Sequence, residues 1–516
     1  MVPSIVLSDR LRMHRGSPPS AGGVARWTAY PAPARRTLEL LQALSPAGRD
    51  GFLYSCSAVF AGVSALAMGI PLYRQWGQMA VGPYAAAAVL MIVVAFRESA
   101  GARTGPPAVG GGGHAPVSPA GSAPVAGAVP GRRRWRAARV VAFLIVLFGA
   151  TIVPLAMEVV WRSEGDAALH VQPEVLVVEQ AGDRAAHGQD PYRVVDRNGH
   201  ILIHQHTEPV YELYYPYLPG MVVFGFSTGS RVEARLTDAR IQFLVFTAAV
   251  SLLALSRLRP PTDARVRALQ VLTVLPTAAL PLATGGDDMP VVALMLLGLV
   301  ALQRRRPLLA GLALGAASAL KFTAWPLALL ALWAAADRGR RRAMGWYALG
   351  VAVVMGPVVL PVALSNPSAF VDNVIRFPLG LAGVSSPAAS ALPGHILVAV
   401  LPSIHKAYVV AAVAIGGVLL VWRLRRRPPR DAAEVASLAG WVMLIAILLA
   451  PATRVGYLLY PINLFVWAWM LRQAQDPDTP PSGRTGQLSS GSSSNSSENV
   501  VEPVDVVGDT VAPTSQ

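Results

Sequence analysis

The stretch from Asp287 to Arg306, DDMPVVALMLLGLVALQRRR, shows the pattern that decides the fold of this chain. Two acids precede an apolar run, and three arginines follow it. A helix needs about 20 apolar residues to cross a membrane, with roughly 17 to 25 the usual range, and arginines gather at the cytoplasmic ends of such helices. The stretch therefore predicts a short transmembrane helix with Asp287 and Asp288 at its outer end.

The same pattern recurs along the chain. Of 516 residues, 53% are hydrophobic and only 14% are charged, which is too apolar for an ordinary soluble enzyme. We predict an all-α polytopic membrane protein with about 12 transmembrane helices. The predicted spans are 52–72, 78–96, 140–160, 239–256, 267–283, 288–303, 307–320, 322–336, 343–364, 398–422, 436–451 and 455–472. The pair 307–320 and 322–336 is alternatively one long helix kinked near Pro326.

The basic clusters predict the orientation of the helices. They face the cytoplasm if the positive-inside rule holds, and a twelve-span path with both termini inside satisfies all of them. On the outer side this path places residues 161–216, the Asp287-Asp288 pair, Lys321, Arg376 and Arg454.

Net charge and cysteine content exclude other classes of protein. The net charge of +15 comes from short arginine clusters between apolar spans, so it indicates topology and not nucleic-acid binding. Cys56 is the sole cysteine and lies inside the first span, so the chain has no internal disulfide and no cysteine metal site.

Composition divides the chain into segments. Residues 1–51 are a basic cytoplasmic N-terminal segment, and residues 52–96 hold two transmembrane helices. Residues 97–139 form a basic loop rich in Gly, Pro and Ala, and residues 473–516 form a tail rich in Ser and Pro. Both are predicted to be disordered and cytoplasmic, because neither can bury enough apolar surface to fold. Residues 140–472 remain as the main membrane domain.

An acidic segment, Trp161 to Pro216, interrupts the apolar pattern. It carries nine Asp or Glu against four Arg, and five of the nine histidines of the chain. Apolar residues among acids predict a helix over 171–180, and Asn198-Gly199 predicts a hairpin turn. The apolar run 217–227 is too short to cross, so we expect it to dip into the outer leaflet, with a thirteen-span path as the alternative.

Several short motifs occur in a fixed order. The acidic helix is followed by Gly188-Gln189-Asp190-Pro191-Tyr192 and then by Tyr214-Tyr215-Pro216-Tyr217-Leu218-Pro219. Farther along lie Gly285-Gly286-Asp287-Asp288, the run Ala310 to Gly315 before Ala319-Leu320-Lys321 and Trp325-Pro326, and Pro451 to Tyr457 with Tyr460-Pro461. Over residues 140–472 this order resembles the GT-C type glycosyltransferases that use polyprenyl-phosphate sugars. It is most similar to glycosyltransferase family 87, whose characterised members are actinobacterial mannosyltransferases.

The resemblance implies a catalytic base in the acidic segment. In such enzymes a carboxylate of the first outer loop deprotonates the acceptor hydroxyl as it attacks the sugar. It is usually an Asp, about fourteen residues before the glycine of the Gly-x-x-Pro-Tyr turn. Here that place is taken by Glu174. Glu179 is the second candidate, and Asp166 and Glu164 stay open as alternatives.

The resemblance also implies how the substrates are held. Lys321 and Arg454 would bind the donor phosphate, although a lysine at this depth alternatively snorkels to the interface. The Asp287-Asp288 pair is predicted to bind the acceptor or the sugar, together with Tyr192 and Tyr215. Two acids at a helix start also favour the helix dipole, and a divalent ion is a further possible ligand for them.

No cofactor and no metal are predicted. His200, His204 and His206 would share one face of a strand, but without the usual metal geometry or an assured carboxylate.

The predicted function is transfer of a sugar, most simply mannose, from a polyprenyl-phosphate donor to a lipid or glycan acceptor. The reaction would be an inverting single displacement on the outer face of the cell membrane. The predicted partners are this donor, the acceptor and membrane lipid, with no nucleic acid. The alternatives are a transporter or flippase of lipid-linked sugars and a scaffold for envelope assembly. A transporter places charges near the bilayer midplane, whereas here the acids concentrate in one outer segment.

Overall fold

A computed structural model of the protein describes residues 44–103, 130–165, 169–192, 210–226, 236–258, 262–335, 341–384 and 387–474. These residues are largely helical and form no strand, apart from one isolated bridge between Ala389 and Thr453. The α-helices are α1 (Pro46–Ala67), α2 (Pro71–Arg103), α3 (Pro130–Val146), α4 (Val153–Glu164), α5 (Pro173–Ala186), α6 (Ala239–Ser256), α7 (Thr262–Thr273), α8 (Pro276–Thr284), α9 (Asp288–Gln303), α10 (Pro307–Leu320), α11 (Trp325–Ala335), α12 (Arg341–Ser365), α13 (Pro367–Val371), α14 (Pro393–Val400), α15 (His405–Arg426), α16 (Ala432–Leu449) and α17 (Leu459–Gln473).

Short helical turns connect several of these helices. The π-helix Leu147–Ile152 joins α3 to α4, and a second one, Asp372–Arg376, follows α13. The 3-10 turns are Val210–Leu213, Pro219–Phe224, Phe322–Ala324, Pro402–Ile404 and Val455–Leu458.

The structure confirms an all-α polytopic membrane protein, but it does not confirm the count of twelve spans. In the part of the chain that the structure describes, seven helices are long and apolar enough to cross, or eight if α7 and α8, bent by 40°, form one span. Helix α9 has 16 residues, α10 has 14 and α11 has 11. At about 1.5 Å per residue, none of the three alone matches a hydrocarbon layer about 30 Å thick.

Helix α9, the stretch whose sequence pattern predicted the fold, is the centre of the domain. Nearly all its residues from Asp288 to Ala301 are buried. It packs against α6, α10, α16 and α17. A helix that is apolar all round is stable when other helices surround it. Its first turn, which carries two carboxylates, is therefore held at a fixed place among its neighbours.

The break between α10 and α11 lies at Lys321 and not at Pro326. Lys321 has φ −154° and ψ 144°, which is extended backbone. Pro326 lies in the first turn of α11, where a proline needs no intrahelical donor and causes no kink. The alternative of one helix kinked near Pro326 is therefore wrong, and the break allows the Lys321 side chain to point into the protein.

Helices α1 and α2 form a hairpin that packs against α3, α7 and α8. A Cβ atom on Gly77 of α2 would lie 2.5 Å from the Ala65 backbone nitrogen of α1, so the two backbones are in direct contact. The Trp76 indole donates to the Ala150 carbonyl at 2.8 Å, and the Tyr84 hydroxyl donates to the Val274 carbonyl at 2.5 Å.

A buried ion cluster fastens the inner end of this hairpin. Asp50 of α1 is fully buried, 2.5 Å from the Arg139 guanidinium of α3 and 2.8 Å from that of Arg267 of α7. Arg139 also pairs with Asp263, and the Gln270 amide lies 3.3 Å from Asp50. Two carboxylates thus neutralise two guanidinium groups, which allows the cluster to be buried.

The acidic segment contains the predicted helix. Helix α5 spans Pro173–Ala186, and the 3-10 turn Pro219–Phe224 packs against it. A Cβ on Gly182 would lie 2.3 Å from the Gly225 carbonyl carbon, so only glycine allows the contact. The predicted hairpin at Asn198-Gly199 lies outside the described residues.

The apolar run that was expected to dip into the outer leaflet packs against α10, and its depth in the membrane stays a prediction. The Leu218 amide donates to the Leu320 carbonyl at 3.1 Å, and a Cβ on Gly220 would lie 2.6 Å from the Ala319 carbonyl oxygen. The run is a short 3-10 turn whose Pro219, Met221 and Phe224 are buried. Its backbone therefore positions the end of α10 immediately before Lys321.

The two segments predicted to be disordered fall mostly outside the described residues. Helix α2 continues to Arg103 and α3 begins at Pro130, so the two ends of the 97–139 loop are helical. Residues 104–129 and the tail from 475 onward are outside the described part of the chain.

Candidate active site

An ion pair joins the acidic segment to the C-terminal part of the chain. Glu174 lies in the first turn of α5, which Pro173 begins, and its carboxylate contacts the Arg454 guanidinium. Arg454 precedes the 3-10 turn Val455–Leu458, and the neighbouring Thr453 amide donates to the Ala388 carbonyl at 2.7 Å. The Glu174 Oε2 atom is buried and has no hydrogen-bond partner among the described residues. One carboxylate oxygen is therefore left over for a ligand.

A second cluster contains two carboxylates and one ammonium group. Lys321 Nζ lies 3.0 and 3.2 Å from the two carboxylate oxygens of Asp287 and 2.5 Å from Asp288 Oδ1. The acids come from the start of α9, and the lysine comes from the break after α10. The ammonium is thus within hydrogen-bond distance of both carboxylates. Lys321 was predicted to bind phosphate, and here it holds both acids in place.

Tyrosine side chains surround this cluster. Lys321 Nζ lies 5.1 Å from the centre of the Tyr217 ring and 5.7 Å from that of Tyr457. The Tyr460 hydroxyl donates to Asp288 Oδ1 at 2.6 Å and accepts from Thr323 Oγ1 at 2.6 Å. Aromatic rings and phenol groups together suit a sugar, because rings pack against its apolar face and phenols hydrogen-bond its hydroxyls.

The two charged clusters belong to one site. The charge of Glu174 acts on both Asp287 and Tyr217, and the charge of Arg454 acts on Tyr457. Glu174, Arg454, Asp287, Asp288 and Lys321, which are far apart in sequence, therefore share one electrostatic environment. The outer-loop carboxylate and the cations predicted to act with it are brought together.

The ionisation of Asp287 is set by its burial. Burial raises the pKa of Asp287 to about 6; the Lys321 ammonium opposes the increase, while the charges of Asp288 and Glu174 add to it. When every group is ionised, the three carboxylates outnumber the cations of Lys321 and Arg454, and the site carries one net negative charge. Protonation of Asp287 makes it neutral.

Glu179 lies in the same helix as Glu174 but in a different network. Its two carboxylate oxygens accept from Arg162 of α4 at 3.0 and 2.5 Å, and Oε1 also accepts from the Ala239 amide at 3.2 Å. Arg162 also donates to Asp238 at 2.7 Å. Burial would raise the pKa of Asp238, but hydrogen bonds and charges from Arg240 and Arg162 outweigh it and lower the pKa. Glu179 thus ties α5 to α4 and to the start of α6.

Tyr192 and Tyr215, predicted to bind sugar or acceptor, are buried behind Tyr217. The Tyr192 hydroxyl donates to the Tyr217 carbonyl at 2.8 Å, and the Tyr192 and Tyr215 ring centres are 5.5 Å apart. The Tyr215 amide donates to Asn373 Oδ1 at 2.7 Å. Both residues support Tyr217 in this structure, and direct contact with a substrate stays a prediction for each.

The remaining candidates lie in several other parts of the chain. Glu164 ends α4, and Asp166 lies outside the described residues. Arg376 is largely exposed and lies 2.6 Å from Asp372. His200, His204 and His206 are also outside the described part. Among the residues that the structure does describe, no group of three or more His, Cys, Asp or Glu has the placement of a metal site.

Sequence reasoning did not select four tyrosines of this region, namely Tyr217, Tyr457, Tyr460 and Tyr73. Tyr457 and Tyr460 stand in a motif that was quoted for its order, yet neither was selected as a site residue. Tyr73 lies in the first turn of α2, in a helix pair that seemed unrelated to the chemistry. The charges of Glu174 and Arg454 both act on its phenol. The residues around a tyrosine in an apolar span do not indicate that it lies near charged groups from distant parts of the chain.

Part of the chain is similar to one known protein family. Residues 230–451 match the model of glycosyltransferase family 87. No curated protein and no solved structure matches the chain. The matched residues include Asp287, Asp288 and Lys321, while Glu174 and Arg454 flank the matched region in sequence and adjoin its charged cluster in space. Residues 230–451, somewhat less than half of the chain, are thus similar to glycosyltransferase family 87.

Proposed function

We propose that this glycosyltransferase transfers mannose from a polyprenyl-phosphate donor to a lipid or glycan hydroxyl at the outer face of the cell membrane. The observation that carries the proposal is the convergence of Glu174, Arg454 and the Asp287-Lys321-Asp288 cluster at one end of the helices. A base, cations and sugar-binding acids lie together there. Mannose and the lipid carrier come from the resemblance, and the outer face comes from the arginine clusters.

Glu174 is the base of the proposed reaction. The acceptor oxygen attacks the anomeric carbon of the donor while Glu174 takes the proton of the acceptor hydroxyl. One C–O bond forms to the acceptor, and the C–O bond to phosphate breaks with its electron pair on the leaving polyprenyl phosphate. Attack opposite to the leaving group inverts the anomeric centre. The buried Oε2 atom of Glu174 without a protein partner is the oxygen available for that proton.

Arg454 links donor binding to the availability of the base. In the structure its guanidinium is held by Glu174. A lipid phosphate is a second anion that suits a guanidinium, because charge-assisted hydrogen bonds from Arg to phosphate are strong. We infer that the donor phosphate replaces Glu174 as the partner of Arg454. Once the donor is bound, Glu174 can therefore accept the proton of the acceptor.

Lys321 stabilises the leaving group from a second direction. Phosphate gains negative charge as the sugar departs, and a preorganised cation stabilises that charge without reorganisation. The two acids beside Lys321 hold the ammonium in place and offer carboxylate oxygens to the hydroxyls of the sugar. The acids thus serve both the lysine and the substrate.

A transfer assay tests the proposal. Membranes that contain the full chain are supplied with polyprenyl-phosphate [³H]mannose and with alkyl glycosides as acceptors, and labelled product is extracted and counted. We expect a new glycosidic product whose rate falls by about 10²- to 10⁴-fold in Glu174→Gln, with the exposed Glu434→Gln of α16 as the matched control. Unchanged transfer in Glu174→Gln would remove Glu174 as the base. Movement of intact labelled lipid without a new glycoside would instead favour a transporter.

A further inference from the structure

Tyr73 comes from a part of the chain outside the matched family region. It lies in the first turn of α2 and is half-buried, beside the buried Leu72. The family match begins at residue 230. The α1–α2 hairpin therefore contributes a side chain to a site that the matched region does not fully contain.

Helix α2 runs antiparallel to α7 and α8, which fixes the level of Tyr73. At the inner end, Ile92 of α2 is packed on Gly51 of α1, whose neighbour Asp50 pairs with Arg267 at the start of α7. Farther out, the Tyr84 hydroxyl contacts the Val274 carbonyl. From Ile92 back to Tyr84, helix α2 therefore runs alongside α7 in the direction of α8.

The same alignment of α2 with α7 and α8, continued past Tyr84, brings Tyr73 toward the end of α8. Tyr73 lies eleven residues before Tyr84, and Thr284 lies ten residues after Val274. At about 1.5 Å per helical residue, both are roughly 15 Å beyond the Tyr84–Val274 contact. Tyr73 and Thr284 therefore both lie beyond that contact, toward the same end of the two helices.

The end of α8 in turn holds the start of α5. The Gln172 amide donates to the Thr284 carbonyl at 3.1 Å, and the Gln172 side chain donates to Thr284 Oγ1 at 2.6 Å. Glu174 lies two residues beyond Gln172. Tyr73 and Glu174 thus lie toward the same end of the domain, where the charges of Glu174 and Arg454 act on the Tyr73 phenol.

The hairpin that carries Tyr73 is rigidly attached to the domain. The Trp76 bond to Ala150, the Tyr84 bond to Val274 and the buried Asp50 cluster hold it at three levels. A Cβ on Gly149 would lie 2.2 Å from the Pro83 ring, so the π-helix also fits closely against α2. A side chain on such a support is preorganised for a ligand.

We propose that Tyr73 is an acceptor-binding residue, whose phenol hydrogen-bonds a hydroxyl of the acceptor sugar and whose ring packs against that sugar beside Glu174. The inference rests on the proposed function. A phenol both donates and accepts a hydrogen bond, and an aromatic ring covers the apolar face of a pyranose. Lys321 and Arg454 act on the donor, so Tyr73 affects the acceptor alone.

Steady-state kinetics test this role in the full chain. The rates of wild type, Tyr73→Phe and Tyr73→Ala are measured with polyprenyl-phosphate mannose as donor and octyl α-mannoside as acceptor, each varied in turn. The expected result is an acceptor KM about 5- to 10-fold higher in Tyr73→Phe, because one neutral hydrogen bond contributes about 1 kcal/mol. Tyr73→Ala should raise it further. The donor KM should stay within twofold in both variants.

Tyr84→Phe is the matched control, because it removes a hydroxyl from the same helix at a site that faces α7. It should lower the thermal unfolding midpoint and leave the acceptor KM unchanged. An acceptor KM within twofold of wild type in both Tyr73 variants would overturn the inference while the proposed function stands. If the wild-type chain transfers no sugar from this donor, the proposed function fails, and this role of Tyr73 fails with it.

A cysteine pair checks the placement of Tyr73 without any activity. In a Cys56→Ser background, Tyr73→Cys with Arg454→Cys should be linked by a short bismaleimide in membranes. Phe96→Cys with Arg454→Cys, at the other end of α2, should not. Failure of the first pair to link, with both cysteines labelled singly, would contradict the register on which the inference depends.

Discussion

Arg454 forms an ion pair with Glu174, although one precedes the last helix and the other begins the helix of the acidic segment. Neither residue lies in the region that matches the family, yet together they adjoin the Asp287-Lys321-Asp288 cluster inside it. The site is therefore assembled from three separated parts of the chain. In the proposed reaction Glu174 removes the proton of the acceptor, while Arg454 and Lys321 stabilise the charge on the donor phosphate.

The Glu174–Arg454 pair leads to a prediction about donor binding. Arg454→Gln should raise the donor KM about 10- to 100-fold, because a hydrogen bond to a charged group contributes roughly 1.5–3 kcal/mol. Arg454→Lys, which keeps the charge but loses the planar fork, should lie in between. Initial rates at varied donor concentration give the measurement, and the exposed Arg425→Gln of α15 is the control. An unchanged donor KM in Arg454→Gln would show that Arg454 only holds Glu174.

The buried Asp287 predicts how donor binding changes with pH. Its pKa is raised to about 6 by burial, so below that pH it is protonated and the site is neutral when its other groups are charged. Above it the site gains one negative charge, which repels the phosphate. The donor KM should therefore rise as the pH increases through about 6, and kinetics across this range should show it. Asp287→Asn should abolish the change, and an equally steep profile in that variant would rule out Asp287 as its source.

Glu179 is predicted to act on stability. Glu179→Gln leaves Arg162 with a weaker partner and removes charge from the Arg162–Asp238 network. Loss of one member of such a partly buried network typically costs about 1–3 kcal/mol. Thermal unfolding in detergent should show a lower midpoint for Glu179→Gln than for Glu174→Gln. The opposite order of midpoints, with a greater loss of transfer rate in Glu179→Gln, would make Glu179 the base.

The Asp50 cluster predicts a stability effect far from the chemistry. Asp50→Ala leaves Arg139 and Arg267 buried with fewer partners, and breaking a buried pair on one side costs about 3–5 kcal/mol. We expect a marked loss of folded protein after extraction, measured by size-exclusion chromatography. The Arg139→Met, Asp50→Leu double variant, which removes both charges, should recover part of the loss. A single variant as stable as wild type would mean that the cluster contributes little.

The sequence predicted the class of the fold correctly because apolar length and arginine position are local properties. It also predicted the helix of the acidic segment, which the structure shows at Pro173–Ala186. The count of spans was not predictable in the same way. Helices α9, α10 and α11 read as spans by composition, but all three are short and α9 is surrounded by other helices. An apolar residue that faces protein looks the same in sequence as one that faces lipid.

The candidate residues were selected from the sequence, but their partners were not. Glu174, Lys321, Arg454 and the Asp287-Asp288 pair were selected by motif and by the cost of charges near a membrane, and the structure brings them together. Their pairings were not predictable, because a partner depends on distance in space and not on order in the chain. Lys321 thus has two acids as partners where phosphate alone was expected.

The sequence by itself determined that this is an all-α membrane protein whose carboxylates and cations gather on one side of the predicted spans, since those statements depend only on composition and spacing. Only the tertiary structure decided which charges meet. Arg454 meets Glu174, and Lys321 meets Asp287 and Asp288, although these residues lie far apart along the chain. Such contacts join residues that are remote in sequence, and no local pattern of residues encodes them.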